Sequence, residues 1–233
     1  KMISTDMRRV RMNDSTLTHL LICEPPTTIN DQGHHFGIAH INNDGRSLKR
    51  LCDSIGGNKY LKDVCFDVPL GLSDMVAKSS HFDGLKKNAS IRSLGLSRCE
   101  LSQGVGREVL KAFQENSKHL TKFALWRCTI RIEDTHALSS TIPRCVNLRE
   151  ISLMSCSIDD IILKDLVQSM KGHRRLKQLD LQNNRIGKAG CEVLVDLLKD
   201  PCCEIATLDL RNNRINDGGA IVMAQGLSNN RKL

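Results

Sequence analysis

Aromatic residues are scarce. Five Phe, one Tyr and one Trp make up 3% of 233 residues, so the core has to be mostly aliphatic. Long apolar runs are missing too. No stretch approaches the roughly 20 consecutive apolar residues that a membrane-spanning helix needs. The N-terminal stretch KMISTDMRRVRMNDST holds no apolar signal-peptide core. Common catalytic signatures are absent from the sequence: it has no phosphate loop of the GxxxxGKS or GxxxxGKT kind, no GxSxG elbow and no HExxH zinc helix. The formal charge is +8, yet no block of consecutive basic residues is long enough to form a tail. The longest clusters are RRVR at 8–11 and HRRLK at 173–177. Such scattered charge reads as solvated surface, and no nucleic-acid partner is expected.

What the sequence does have is a period. The stretch LDLQNNRIGKAG ends at Gly190, and its near copy LDLRNNRINDGG ends at Gly219, with seven of the first eight letters shared. The frame L-x-x-L-x-L-x-x-N-x-I fits Leu176-Leu179-Leu181-Asn184-Ile186 and Ile205-Leu208-Leu210-Asn213-Ile215. It also fits Leu148-Ile151-Leu153-Cys156-Ile158, Leu120-Phe123-Leu125-Cys128-Ile130 and Ile91-Leu94-Leu96-Cys99-Leu101. The starts, at positions 91, 120, 148, 176 and 205, are almost evenly spaced. One period earlier Leu61-Val64-Phe66 keeps the apolar frame, with Pro69 in place of Asn or Cys. Five copies in register mark a repeat array.

Each copy has a readable chemistry. The alternation x-L-x-L predicts a short strand with its leucines on one side. The Asn that follows can satisfy backbone groups of neighbouring turns, which would otherwise be buried unpaired. Asn184 and Asn213 are therefore expected to form a structural ladder, in which Cys99, Cys128 and Cys156 hold the same place with a weaker donor. The second half of each copy has helical spacing, as in GREVLKAFQEN (106–116), CEVLVDLLKD (191–200) and AIVMAQGLSNN (220–230). Each such helix is amphipathic and needs neighbours to bury its apolar face. Gly190 and Gly219 would permit close packing at the helix start.

The run LKQLDLQNNRIGKAGCEVLVDLL resembles a leucine-rich repeat of the ribonuclease-inhibitor-like subfamily. The resemblance implies an α/β fold: a right-handed solenoid, or horseshoe, with a parallel concave sheet and outer helices. Residues 1–30 do not fit and are expected as an N-terminal flank or cap. Residues 31–233 are the repeat domain, with 31–60 and 61–90 degenerate and 91–232 regular. Leu233 stands where a further repeat would start. The chain begins with Lys rather than Met, so a processed chain, a fragment or part of something longer is expected. A repeat stack needs polar caps, and SNNRKL stops as the next strand would begin, so either more chain is expected to follow or another molecule to cover the open end.

Ten cysteines raise the question of disulfides. Their spread over a long chain, several at one repeating position, favours thiols in a reducing compartment, the cytoplasm. Cys202-Cys203 is a weak redox candidate whose plainer reading is a loop with one thiol turned inward. His34, His35 and His40, with Cys23, match no compact zinc spacing, and no metal or cofactor is expected. Asp159-Asp160 would sit at a strand-to-helix turn, where acidic residues favour a helix N-terminus.

In a leucine-rich repeat the variable strand positions face the binding surface. Between the last two leucines stand Gly95, Ala124, Ser152, Asp180 and Asp209. After them stand Ser97, Trp126, Met154, Gln182 and Arg211, and next Arg98, Arg127, Ser155, Asn183 and Asn212. Trp126, Arg127, Arg98, Met154, Gln182 and Arg211 are the candidate partner-binding residues, because Trp, Met and Arg are enriched at interfaces. The plainer alternative is that Trp126 folds over its small neighbours and merely covers the sheet. The function expected is a non-catalytic protein-interaction module or scaffold that binds a protein partner on the concave face, alone or as a subunit of a larger assembly. The alternatives are a GTPase-activating protein of the Ran type, or the recognition portion of an immune receptor or of a ubiquitin-ligase substrate receptor. The acidic tail of the Ran-type proteins is not found here.

Overall fold

The computed structural model describes residues 5–23, 37–40, 45–67, 78–102 and 104–233. They belong to two compact units, Lys1–Leu120 and Thr121–Leu233. In the second unit, and from the helix Gly45–Gly57 onward in the first, parallel strands alternate with helices in the α/β solenoid pattern that the period predicts, whereas the strands His19–Cys23 and Gly37–His40 are consecutive among the described elements and stand out of chain order.

The first unit contains α1 (Thr5–Arg11), β1 (His19–Cys23), β2 (Gly37–His40), α2 (Gly45–Gly57), β3 (Asp63–Asp67), α3 (Asp83–Lys87), β4 (Ser93–Ser97) and α4 (Gly104–Glu115). Its strands lie in the order β2-β1-β3-β4, all parallel. Strand β1 lies in the stretch expected as a flank. It pairs with β3 through Leu20↔Val64 and Ile22↔Phe66, and Leu17, Leu20 and Ile22 are buried. These three residues repeat the L-x-x-L-x-L frame. The step from Leu17 to Leu61 is about half as long again as the regular period, so a fixed frame passes over it. Leu48, Leu51, Cys52 and Ile55 of α2 and Val109, Leu110 and Phe113 of α4 complete the core. Phe66 and Phe82 meet with ring centroids 6.3 Å apart. Pro69 lies outside the described residues.

The second unit contains β5 (Lys122–Trp126), α5 (Ile132–Thr141), β6 (Glu150–Met154), α6 (Asp160–Met170), β7 (Gln178–Asp180), α7 (Lys188–Leu198), β8 (Thr207–Asp209) and α8 (Asp217–Leu227). Its parallel strands follow chain order, with Phe123↔Ile151, Ile151↔Leu179 and Leu179↔Leu208 in register. The frame residues Leu148, Ile151, Leu153 and Ile158, and Leu176, Leu179, Leu181 and Ile186, are buried. Helix α6 covers them with Leu163, Leu166 and Val167, and α7 with Leu194, Leu197 and Leu198. At Gly190 a Cβ would lie 2.5 Å from Asp160 Oδ1 and 2.6 Å from Ile186 Cγ2. That carboxylate oxygen accepts the Gly187 N–H at 2.7 Å, so a side chain at 190 would displace a bond joining two repeats.

Strands β4 to β8 each end in a turn that needs left-handed backbone. Arg98, Arg127, Ser155, Asn183 and Asn212 have φ between 53° and 59°. Asn184, next to one such residue, is buried and accepts from Cys156 N and Ile158 N at 3.0 Å each. Its amide donates to Leu153 O at 2.8 Å and Leu181 O at 2.9 Å. Asn213 makes the equivalent bonds to Ile186 N, Leu181 O and Leu210 O. At the same position Cys156 donates its thiol to Leu125 O at 3.4 Å, while Cys128 reaches Trp126 O and Cys99 reaches Ser97 O within their own turns.

A second series lies at the other end of the strands, in the helix-to-strand turns. In the first unit Asn88 donates to Ile55 O and Asn58 O and accepts from Ser90 N and Ile91 N. Asn58 accepts from Tyr60 N and Leu61 N, and Asn116 donates to Leu85 O at 2.7 Å. In the second unit His173 takes this place, with Nε2 2.9 Å from Cys145 O.

Two outcomes follow from these contacts. Asn184→Ala removes the side-chain partner of Cys156 N, Ile158 N and Leu153 O, while Leu181 O keeps the Asn213 amide, and should lower the unfolding free energy by about 2–3 kcal/mol, measured by chemical denaturation. A change below about 0.5 kcal/mol would mean that water replaces the amide. The nine described cysteines are free thiols. Burial pushes the Cys145 thiol up to about 12, and burial raises Cys52 and Cys156 as well. The folded state therefore holds these protons more tightly than the unfolded chain, whose thiols ionise at about 8.5. Stability is full below that value and is lost as pH rises towards the folded pKa. Unfolding free energy should fall between about pH 8 and about pH 10, with a shallower slope in Cys145→Ala. An equal slope in the variant would contradict the assignment.

Candidate partner-binding site on the sheet face

Strand alternation sends Phe123 and Leu125 of β5 into the core and Lys122, Ala124 and Trp126 to the opposite face. The register then builds that face in the second unit. Lys122 stands beside Glu150, Glu150 beside Gln178, Ala124 beside Ser152, and Trp126 beside Met154. Ser152 stands beside Asp180, which stands beside Asp209. Beyond the strand ends the rungs stay joined through Arg127 N to Met154 O, Ser155 N to Gln182 O and Asn183 N to Arg211 O, each about 3 Å long. Trp126, Met154 and Gln182 are half-buried, and Arg127 is exposed. Ala124 and Ser152, although on the outward face, are 1% and 4% exposed. Longer neighbours must therefore lie across them.

Most charges on this face are already paired. Lys122 forms an ion pair with Glu150. Asp180 accepts from Ser152 Oγ at 2.9 Å and from Gln182 N at 2.9 Å. Arg211 folds back onto Asp209, with Nη2 to Oδ2 at 2.6 Å. The Arg211 guanidinium holds the Asp209 carboxyl below its ordinary range, and Asp209 in turn raises Arg211. Arg98 belongs to the first unit. There its Nε and Nη2 grip Asp67 at 2.8 and 2.9 Å, a bidentate pair that fixes the guanidinium. The sequence frame named Arg98 and Arg211 but missed their carboxylates. Asp209 stands two positions before Arg211, whereas Asp67 stands one strand earlier in a repeat where Pro69 breaks the consensus.

Other sequence candidates fall elsewhere. Asp159 caps α6 by accepting from Ile161 N and Ile162 N, and Asp160 accepts from Gly187 N. Both carboxylates are thus occupied by backbone. Cys203 is buried and Cys202 half-buried, both as thiols. His34 and His35, and the side chains of His40 and Cys23, lie outside the described residues. Among the described residues no group of three or more His, Cys, Asp or Glu is placed to hold a metal ion, and no helix is long and apolar enough to cross a membrane.

A family profile described as "Leucine Rich repeat" matches residues 173–195 and 203–224. The chain is similar to "NACHT, LRR and PYD domains-containing protein 14" of Mus musculus, 32% identical over 120 residues that cover 51% of this chain and 12% of the relative. It is similar to "NACHT, LRR and PYD domains-containing protein 4E" of Mus musculus, at 28% over 149 residues, 63% of this chain and 14% of the relative. It is also similar to "Ribonuclease inhibitor" of Sus scrofa, at 29% over 152 residues, 53% of this chain and 33% of the relative. The chain thus spans a third or less of the length of these relatives.

Arg127 tests what the turn demands. It is exposed and holds φ at 53°, a conformation that Asn tolerates better than Arg. Arg127→Asn should raise the unfolding free energy by up to about 1 kcal/mol, read by thermal and chemical denaturation. A loss of stability would show that the guanidinium contributes more than the strain removes.

Proposed function

Because this chain is a leucine-rich-repeat protein of the ribonuclease-inhibitor-like type, we propose that it is a non-catalytic protein-binding module whose partner seats on the sheet face around Trp126. Proteins of this type suggest protein binding in general terms. The finer reading rests on one observation: Trp126 and Met154 stand side by side and half-exposed, on a face whose neighbouring charges are mostly paired. A partner gains apolar contact there without stripping water from an unpaired ion. Trp and Met offer large, adaptable contact area. Gln182, Arg127 and Arg211 supply the polar rim, and Arg98 with Asp67 forms a fixed polar element in the first unit. The cytoplasm is the compartment proposed, a reading supported by free thiols at nine described cysteines.

The likeness to NACHT, LRR and PYD domains-containing proteins favours a second reading, in which this chain is the repeat portion of a longer polypeptide of that composition. Both readings place recognition on the repeats.

Capture from lysate onto the immobilised chain, followed by mass spectrometry, provides the assay. Trp126→Ala should abolish capture of the specific partner, while Trp126→Phe keeps part of it, and thermal unfolding of both variants should stay close to that of the parent. Normal capture by Trp126→Ala together with a large stability loss would mean that the indole only covers the sheet.

A further inference from the structure

The second unit carries a basic edge that its sheet face does not explain. The helix-to-strand turn at 142–149 contains Arg144 and Arg149, and the next one, at 171–177, contains Lys171, Arg174, Arg175 and Lys177. Neither turn contains an acidic residue, and all six basic residues are exposed. The two turns are adjacent rungs, joined by Lys177 N to Arg149 O at 2.8 Å, His173 Nε2 to Cys145 O at 2.9 Å and Arg175 Nη1 to Asn147 Oδ1 at 2.8 Å. Two carboxylates stand in the following turn, and both are occupied. Asp200 accepts from Gly172 N and Cys202 N, and Glu204 is shared by Lys177 and Lys232. Among the described residues Lys177 is the member of the six that is held in an ion pair.

Helix dipoles account for part of this charge. Lys171 caps the C-terminus of α6 and Arg144 closes the short helical turn after α5, positions where a cation is stabilised. Arg149, Arg174, Arg175 and Lys177 lie beyond that reach. In the first of these turns Val146 is 58% exposed, and Pro143 of the same turn is exposed. The edge therefore offers guanidinium forks around a small apolar contact. Two rungs about 5 Å apart make a narrow strip, without the aromatic platforms on which nucleobases stack and with too little apolar surface to insert into a lipid bilayer. Guanidinium forks pair with carboxylates in bidentate fashion.

We propose that the edge formed by residues 142–149 and 171–177 docks an extended acidic segment of a protein partner, with an aliphatic side chain of that segment against Val146. This is a second surface, distinct from the face around Trp126. The probe is a fluorescein-labelled peptide of alternating glutamate and glycine with a central leucine, titrated with the full chain and followed by fluorescence anisotropy. Binding is expected to weaken with added salt. It should fall about tenfold or more in the Arg149→Glu, Arg174→Glu double variant, whose thermal unfolding stays close to that of the parent. Trp126→Ala should bind the peptide normally, which separates this surface from the capture site. The proposal is overturned by absence of binding, by equal binding in the double variant, or by tighter binding of a single-stranded oligonucleotide or phosphatidylserine vesicles that the same double variant abolishes.

Discussion

The interaction on which the repeats depend is the hydrogen bonding of one buried side-chain amide to the backbone of two successive turns. A chain that turns sharply after each short strand leaves N–H and C=O groups pointing inward, where water cannot reach them. Asn184 answers four such groups at once, Leu181 O in its own repeat and Leu153 O, Cys156 N and Ile158 N in the previous one. A leucine there would fill the space and take the side-chain partner from Leu153 O, Cys156 N and Ile158 N, at a cost of about 1–3 kcal/mol for each group left unpaired, while Leu181 O would keep the Asn213 amide. The thiols at Cys99, Cys128 and Cys156 are weaker donors and leave more of the pairing to main chain, as in the Ile130 N to Cys156 O contact at 3.4 Å. The same logic governs the other end of the strands, where Asn58, Asn88 and Asn116 tie helix-to-strand turns together.

This division of labour sets which residues are free to differ. Leucines and amides are held by burial and by backbone. The left-handed residue after each of strands β4 to β8 is held by conformation, and the asparagines at 183 and 212 suit it better than the arginines at 98 and 127. The outward strand positions and the turn surfaces answer to neither constraint, and a partner's chemistry can be written there. Trp126 with Met154 on the sheet face and the arginines at 144, 149, 174 and 175 on the turn edge are the two places in the second unit proposed to use that freedom for a partner.

The fold was largely legible because its period is a physical requirement repeated in the same letters. Leu176-Leu179-Leu181 announces a strand, and the spacing of CEVLVDLL announces the helix behind it. Two features escaped the frame for definite reasons. The strand at 19–23 keeps the right letters at the wrong distance, since Leu17 lies too far ahead of Leu61 for the regular step. The asparagines at 58, 88 and 116 recur with the period but stand ahead of the first leucine, outside the letters being counted. Side-chain partners were harder still. The frame placed Trp126 and Arg98 on the outward face, but period alone does not tell that Asp67 grips Arg98 or that Ala124 is covered. The cluster HRRLK at 173–177 was visible, yet its weight comes from Arg144 and Arg149 one rung away, which only the register brings beside it.

Amide hydrogen exchange tests the central claim most directly. If Asn184 and Asn213 hold the turns, the amide protons of Cys156, Ile158 and Ile186 should exchange only through large-scale opening of the second unit, as slowly as those of the buried strand residues Ile151 and Leu153. Exchange of those three protons at rates near those of the exposed turn at 171–177, with the strands still protected, would show that the amides follow the fold rather than hold it.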